Sequence, residues 1–162
     1  MENIKDEVLG ELEYEYGWKR EYNITIFNEK RKVILFIENY DETYPEEQQK
    51  ASFLYFRKNI KSIICDIEYR LFEYYINNLL GIREKIDESL WDLKAPKLNS
   101  DDVNRFKKLV KPTIIYIPQT FGDEDKILYG IIFSCVWEDE CGIAVKFENE
   151  HVTVGTDDII LM

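Results

Sequence analysis

The sequence predicts an α+β fold in which antiparallel strands from both chain ends pack against one long helix. Residues 46–80 contain neither proline nor glycine, and their apolar side chains recur every three or four positions, as on one face of a helix. The segments on either side are rich in β-branched and aromatic residues between turn residues, which is typical of strands. A chain of 162 residues is expected to form a single domain, 1–162.

The predicted long helix follows Pro45 and ends at Gly81, two residue types that favour helix boundaries at these ends. Its apolar stripe includes Ile64 and Ile67. Because such a stripe needs a partner surface, we expect it to pack on the strands. At 1.5 Å per residue the segment would span roughly 50 Å, enough to cross a small sheet.

Three strands are predicted before the helix. Residues 8–16 alternate Leu and Tyr with Glu, which is the pattern of a strand with one solvated face, and Gly17 is expected to end it. Residues 21–27 and 32–38 are β-branched and aromatic, and the polar link between them has the length of a hairpin connection. The three segments are expected to form an antiparallel meander.

One or two short helices are predicted after the long one. Residues 103–110 follow the capping sequence Ser100-Asp101-Asp102 and carry apolar residues on one side. Residues 83–96 fit either a short helix or an extended segment. Residues 156–161 fit either a single helical turn or a last short strand.

The C-terminal part predicts a second antiparallel meander. Residues 113–117 lie between two prolines, which favours a protected or edge strand. Residues 127–137 form the most continuous apolar run, so we expect a central strand covered on both faces, with Gly130 permitting a bulge or a close approach. Two further strands, 143–148 and 151–154, complete this meander.

The formal charge of −11 is concentrated near the C-terminus. Residues 112–162 contain ten acidic residues against two lysines, a net charge of −8. Such a charge disfavours nucleic-acid binding, which depends on neutralising phosphates, and it favours basic partners. The alternative is that the acidic surface only maintains solubility.

We expect a cytoplasmic protein without a membrane segment. The first residues lack the basic start and apolar core of a secretory signal, and no apolar run approaches the length of a transmembrane helix. The three cysteines, an odd number without CxxC spacing, predict free thiols.

No catalytic, cofactor-binding or metal-binding residues are predicted. His151 is the only histidine, so nucleophilic catalysis of the Ser-His or Cys-His type would need it, and a surface position is the simpler interpretation. Cys135 and Cys141 flank a predicted turn but lack the further ligands of a zinc site. Glycines in a phosphate-binding pattern are absent from the sequence.

Two acidic triplets are the candidate partner-binding residues. They are Glu138, Asp139, Glu140 and Asp123, Glu124, Asp125. A divalent-metal role is disfavoured because adjacent acids on a strand point to opposite faces and no calcium loop is present. Solvated loop charge is the alternative to an interface.

The segments Gly10–Trp18 (GELEYEYGW) and Tyr129–Ile159 resemble a family of small bacterial domains of unknown function. The shared features are an N-terminal Gly-x-Leu, a Gly-Trp, and a C-terminal hairpin carrying Cys, Trp and acids before a closing Val-Gly-x-x-Asp. The resemblance implies a small α+β domain, and some relatives resemble immunity proteins of polymorphic or contact-dependent toxin systems. It carries over no catalytic residue.

Together these features predict a non-enzymatic binding protein, specifically an immunity protein that neutralises a basic toxin domain through an acidic surface. The alternative is a small-ligand-binding domain or small enzyme with a site between helix and sheet. The sequence leaves the oligomeric state open.

Overall fold

The strands lie at both ends of the chain in a computed structural model that describes residues 3–123 and 125–161. The strands are β1 (Ile4–Asp6), β2 (Gly10–Tyr14), β3 (Gly17–Ile26), β4 (Glu29–Glu38), β5 (Val110–Ile117), β6 (Leu128–Cys135), β7 (Glu138–Glu148) and β8 (His151–Thr156). The helices are α1 (Glu47–Lys58), α2 (Ile60–Asn77), α3 (Leu79–Glu84), α4 (Trp91–Lys94), α5 (Val103–Phe106) and α6 (Asp158–Leu161). A 3₁₀ turn, Glu88–Leu90, precedes α4.

All eight strands form one sheet whose spatial order is the chain order, β1 to β8. Neighbouring strands are antiparallel except β4 and β5, which run parallel with Ile34 opposite Ile114 and Ile37 opposite Ile117. A parallel pair cannot be joined by a tight turn, so residues 39–109 form a crossover that contains α1 to α5. The two predicted meanders are therefore halves of a single sheet.

The prediction of one long helix over residues 46–80 is wrong. The predicted fold, in which the strands pack against that single helix, is therefore wrong too. The segment forms three helices that are interrupted at Asn59 and Asn78. Each asparagine leaves helical geometry, and its side-chain amide donates to the carbonyl oxygen four residues earlier, that of Tyr55 or Tyr74. Local side-chain bonds of this kind compete with helix continuation. Apolar periodicity did not reveal the breaks because both asparagines lie on the polar side.

The main core lies between the crossover helices and one face of the sheet. Helix α2 contacts β3 on one side and β7 and β8 on the other, so the sheet curves around this helix. Ile67 is fully buried and Ile64 nearly so, which confirms that the predicted stripe faces the core. The packing of α2 rather than its intrinsic propensity therefore accounts for most of its stability.

The opposite face of the sheet is covered in part by α6. A small cluster there contains Tyr116, Ile132, Ala144 and Ile160. A Cβ atom at Gly130 would overlap Cδ1 of Ile160 and would lie 2.9 Å from the backbone carbonyl oxygen of Val145, which cannot move aside, so the position favours glycine. The prediction that β6 is a central strand covered on both faces is confirmed, and the last residues form a helix rather than a strand.

Of the two alternatives predicted for residues 113–117, a protected or an edge strand, the structure shows the protected one, since β5 lies between β4 and β6. Pro112 is tolerated there because the pairing with β6 shifts register between Pro112 and Ile114. Gly17 begins β3 instead of ending a strand, and a Cβ atom at this position would lie 2.4 Å from the Phe36 ring.

Polar side chains of α1 join the helix to the sheet. The buried Gln49 amide donates to the carbonyl oxygens of Glu38 (2.8 Å) and Ile117 (3.1 Å), where the parallel strands end. One turn later, the Ser52 hydroxyl accepts a hydrogen bond from the backbone N–H of Leu128 at 3.0 Å. These bonds fix α1 over the centre of the sheet.

Within the described residues, none of the helices combines the length and apolar composition needed to cross a membrane. The prediction of free thiols is confirmed for all three cysteines, of which Cys65 and Cys141 are exposed and Cys135 is buried. Burial is the main cause that raises the pKa of the Cys135 thiol to about 12.

We predict that Gln49→Ala lowers the free energy of unfolding by about 2 to 4 kcal/mol, because it leaves two buried carbonyl groups without their donor. Urea denaturation is the measurement. The neighbouring Gln48 donates only to the carbonyl oxygen of Lys126 in a partly exposed position, so Gln48→Ala is a matched control expected to cost about 1 kcal/mol. Equal losses in the two variants would contradict the role of Gln49.

Candidate functional site

Three loops meet at the end of the sheet where the parallel strands β4 and β5 finish. The described residues of these loops are 15–16, 39–46, 118–123 and 125–126, and we call them the loop surface. In sheets with parallel strands, ligands commonly bind beyond the carboxyl ends of such strands, where the chain connections diverge. This end of the molecule is therefore a candidate site on topology alone.

Direct hydrogen bonds connect the second and third of these loops. The backbone N–H of Tyr40 donates to the side-chain oxygen of Gln119 at 3.3 Å. The backbone N–H of Thr120 donates to the Glu46 carboxylate at 2.7 Å. Glu46 also precedes α1 and forms a capping box with Gln49. The two loops are thus held by the same residues that start α1.

A buried carboxylate lies beneath the junction. Glu38 is 4% exposed, and it accepts hydrogen bonds from the Tyr116 hydroxyl and from the backbone N–H of Gln119. Burial, followed by the hydrogen bond to Glu38 and the charge of that carboxylate, raises the pKa of Tyr116, so the phenol stays protonated and donates. This pairing fixes the start of the β5–β6 loop.

Strands β2 and β3 anchor the loop between β4 and α1. The Tyr14 hydroxyl donates to the carbonyl oxygen of Asn39, and the Trp18 indole N–H donates to that of Thr43, both at 2.8 Å. The fully buried Asn39 closes the loop on itself through its side-chain amide, which exchanges hydrogen bonds with Thr43. The backbone of this loop is therefore well supported.

Four large aromatic side chains project from these supported loops into solvent. The exposed fractions are 87% for Tyr16, 63% for Tyr40, 71% for Tyr44 and 75% for Phe121. Aromatic residues are enriched in the energetic centres of protein interfaces. Single exposed apolar residues need no explanation, but these four all lie on loops at the same end of the sheet, which differs from a scattered distribution.

Three loop-surface residues adopt a backbone conformation that favours glycine. The φ angles are 62° at Tyr16, 52° at Glu42 and 54° at Phe121. A side chain held in this region costs on the order of 1 to 3 kcal/mol, and such residues cluster at functional sites. Glycine would relieve the strain at each position, yet two of the three are exposed aromatics.

The loop surface is also acidic. Asp41, Glu42, Asp123 and Asp125 are exposed, whereas Lys126 forms a salt bridge with Glu148 at 3.0 Å. Glu124 lies outside the described residues. Asp123 and Asp125 of one predicted triplet therefore belong to the loop surface, near Phe121 in the sequence, and the nearby Lys126 is balanced by Glu148.

The other predicted triplet, Glu138 to Glu140, lies at the far end of β6, away from the loop surface. Desolvation and the neighbouring carboxylates, first that of Asp157, raise the pKa of the adjacent Cys141 thiol, which reflects a local group of acids. Lys85 and Lys94 line the same cavity as the triplet and weaken its negative field. The structure does not bring the two triplets together.

The described residues contain no group of three or more His, Cys, Asp or Glu that fits a metal ion. His151 is exposed at the start of β8. Neither observation identifies a reaction. The aromatic residues of the loop surface were not predicted as a site, although the sequence signal was present as aromatic residues next to acids in predicted turns, Tyr40-Asp41 and Phe121-Gly122-Asp123.

A sequence model of the DUF6985 family, described as a domain of unknown function, matches residues 8–161. The chain belongs to the DUF6985 family. The match covers nearly all of the sheet and every helix, so family membership applies to the whole fold and not to one motif. The comparison with curated proteins gave no match, and the comparison with solved structures gave none either.

We predict that Tyr116→Phe lowers the free energy of unfolding by about 1 to 3 kcal/mol, because buried Glu38 loses a hydrogen-bond donor. Denaturant titration measures this, and hydrogen exchange at residues 119–121 should accelerate. Tyr129→Phe is the matched control. That tyrosine is 1% exposed, but its hydroxyl does not bond Glu38, so the variant controls for the loss of a buried phenol hydroxyl and a change within about 0.5 kcal/mol is expected. A Tyr116→Phe variant as stable as the control would contradict the proposed support.

Proposed function

We propose that this domain is a non-enzymatic protein-binding domain that contacts a basic partner through the loop surface. The observation that carries the proposal is the projection of four exposed aromatic side chains from supported, acidic loops. Aromatic side chains provide a large contact area, and neighbouring carboxylates select for arginine and lysine. The loop surface therefore offers both contact area for a partner and carboxylates that attract basic side chains.

The rigidity of the loops supports the same conclusion. Binding is weakened when loops must be ordered at the moment of association. Here Glu38, Asn39 and Glu46 hold the backbone through hydrogen bonds before any partner is present. The exposed aromatic rings are therefore presented with little further loss of conformational freedom.

The most specific form of the proposal is an immunity protein that covers the active surface of a basic toxin domain. It rests on the resemblance of the two terminal segments to relatives of immunity proteins, and on the electrostatic fit between an acidic inhibitor and a basic target. Complementary charge speeds the association of such pairs and makes the rate depend on salt. Fast capture suits a protein that must bind a toxin before it acts.

Two charge-matched variants test where the partner binds. The triple reversal Asp41→Lys, Glu42→Lys, Asp123→Lys changes the loop surface. The reversal of Glu138, Asp139 and Glu140 to Lys changes the net charge equally at the far end of β6. The test ligand is the C-terminal domain of any large secreted protein that a neighbouring gene encodes, and the measurement is association rate against ionic strength. We expect the first variant to associate at least about tenfold more slowly at low salt, and the second much less so.

A third variant distinguishes direct contact with the partner from long-range electrostatic attraction of the partner. Replacing Tyr40, Tyr44 and Phe121 by Ala should mainly raise the dissociation rate, because it removes contact area without changing charge. Unchanged circular dichroism would show that the fold is retained. If only the reversal at 138–140 slows binding, the interface lies at that end and the loop surface is not the site. A neighbouring toxin domain that does not bind, or the lack of such a gene, would refute the immunity proposal.

A further inference from the structure

Most of strand β3 has an open edge. Strand β2 pairs only with Trp18 and Lys19 of β3 before it turns back toward β1. On its other side β3 pairs with β4 along its whole length to Ile26. Among the described residues, no strand pairs with the β2-facing side of β3 beyond Lys19. An unpaired edge of this kind is a template for another strand.

The direction of the free backbone groups follows from two hydrogen bonds. The Gly17 carbonyl oxygen accepts from the N–H of Glu15, so the backbone groups of Gly17 point to the open side. Since this direction alternates along an antiparallel strand, Glu21, Asn23 and Thr25 also point there. The N–H of Phe27, next in the series, donates to the Glu68 carboxylate of α2 at 2.7 Å. At its Phe27 end the row therefore reaches α2.

A groove separates this row from the helix. Its first part is a cavity of about 520 Å³ whose apolar walls come from Ile24 of β3 and from Ile60 and Ile64 of α2. It continues beyond Asn28 into a second cavity of about 630 Å³ between α2 and α5. Exposed or half-exposed apolar residues line this second part, including Tyr69, Ile76 and Val103. The two cavities share Phe27, Asn28, Cys65 and Glu68.

The charges differ between the two parts of the groove. Lys61 lines the first part, beside Ile60 and Ile64. Glu68 and Glu73 line the part beyond Asn28. Lys107 lines it too, but its ammonium group is 3.3 Å from the Glu29 carboxylate and is balanced by it. A basic group at this end therefore meets two carboxylates.

We propose that the open edge of β3 binds an extended segment of a partner protein as an added antiparallel strand, with a basic residue at the end next to Glu68 and Glu73. Alternate apolar side chains of the segment enter the groove beside Ile60 and Ile64. The groove corresponds to the expected small-ligand site between helix and sheet, but its row of backbone donors and acceptors matches an extended chain. This site is separate from the loop surface, which lies at the opposite end of β3.

A synthetic peptide provides the probe. It is end-capped and fluorescent, with an N-terminal lysine followed by alternating valine and threonine, and its affinity is measured by anisotropy. Asn23→Pro removes an outward N–H while leaving the pairing with β4, and Asn23→Thr keeps that N–H as the matched control. We expect binding at least about tenfold weaker for the proline variant and unchanged for the threonine variant. A peptide methylated on its backbone nitrogens should lose affinity similarly.

A second modification covers the case in which Asn23→Pro fails to fold. Cys65 is exposed and lines both cavities, so in a Cys141→Ser background a bulky maleimide on Cys65 should abolish peptide binding, whereas S-methylation should not. The proposal is overturned if the unmodified protein does not bind the peptide at about 1 mM, or if the methylated peptide binds equally well. It is also overturned if sedimentation shows a dimer that Asn23→Pro dissociates, because the occupant is then a second copy.

Discussion

Strands β4 and β5 run parallel, and the course of the remaining chain depends on this one pairing. Because parallel strands cannot be joined by a tight turn, the chain must cross the sheet, and the five crossover helices lie on the face where the main core forms. Gln49 stabilises the arrangement by donating to a carbonyl group of each strand where the pair ends. The same pairing joins the N-terminal and C-terminal meanders into one sheet and gathers the loops of the loop surface at its end.

The loop surface combines destabilising features, which are strained backbone and exposed aromatic rings, with stabilising hydrogen bonds beneath them. Residues Tyr16, Glu42 and Phe121 adopt φ angles that favour glycine, and the aromatic rings of this surface are largely exposed to solvent. The buried hydrogen bonds around Glu38 and Asn39 offset this cost by fixing the backbone beneath. A surface that served only to maintain solubility would need neither the strained backbone nor the support, because exposed charge alone meets that need.

The acidic residues have different surroundings at the two ends of β6. Asp123 and Asp125 lie with exposed aromatics, whereas Glu138 to Glu140 share a cavity with Lys85 and Lys94. Net charge read from the sequence treats these groups alike. Their spatial neighbours decide how each group acts, since the field of a carboxylate falls when an ammonium group is close. Of the two predicted triplets, Asp123 and Asp125 lie on the loop surface, and Glu138 to Glu140 lie outside it.

The sequence by itself determined most strands of the two meanders, though not β1, together with the buried stripe that includes Ile64 and Ile67 and the need for glycine at position 130. These features depend on local periodicity and residue size. It did not reveal the breaks at Asn59 and Asn78, since exposed asparagines leave the apolar pattern intact while their amides bond the preceding turn. Only the tertiary structure decided that the two meanders join in parallel, that Pro112 lies inside the sheet, and that Tyr16, Tyr40 and Phe121 share one surface. These outcomes depend on contacts between residues far apart in the chain, which periodicity over a few positions cannot encode.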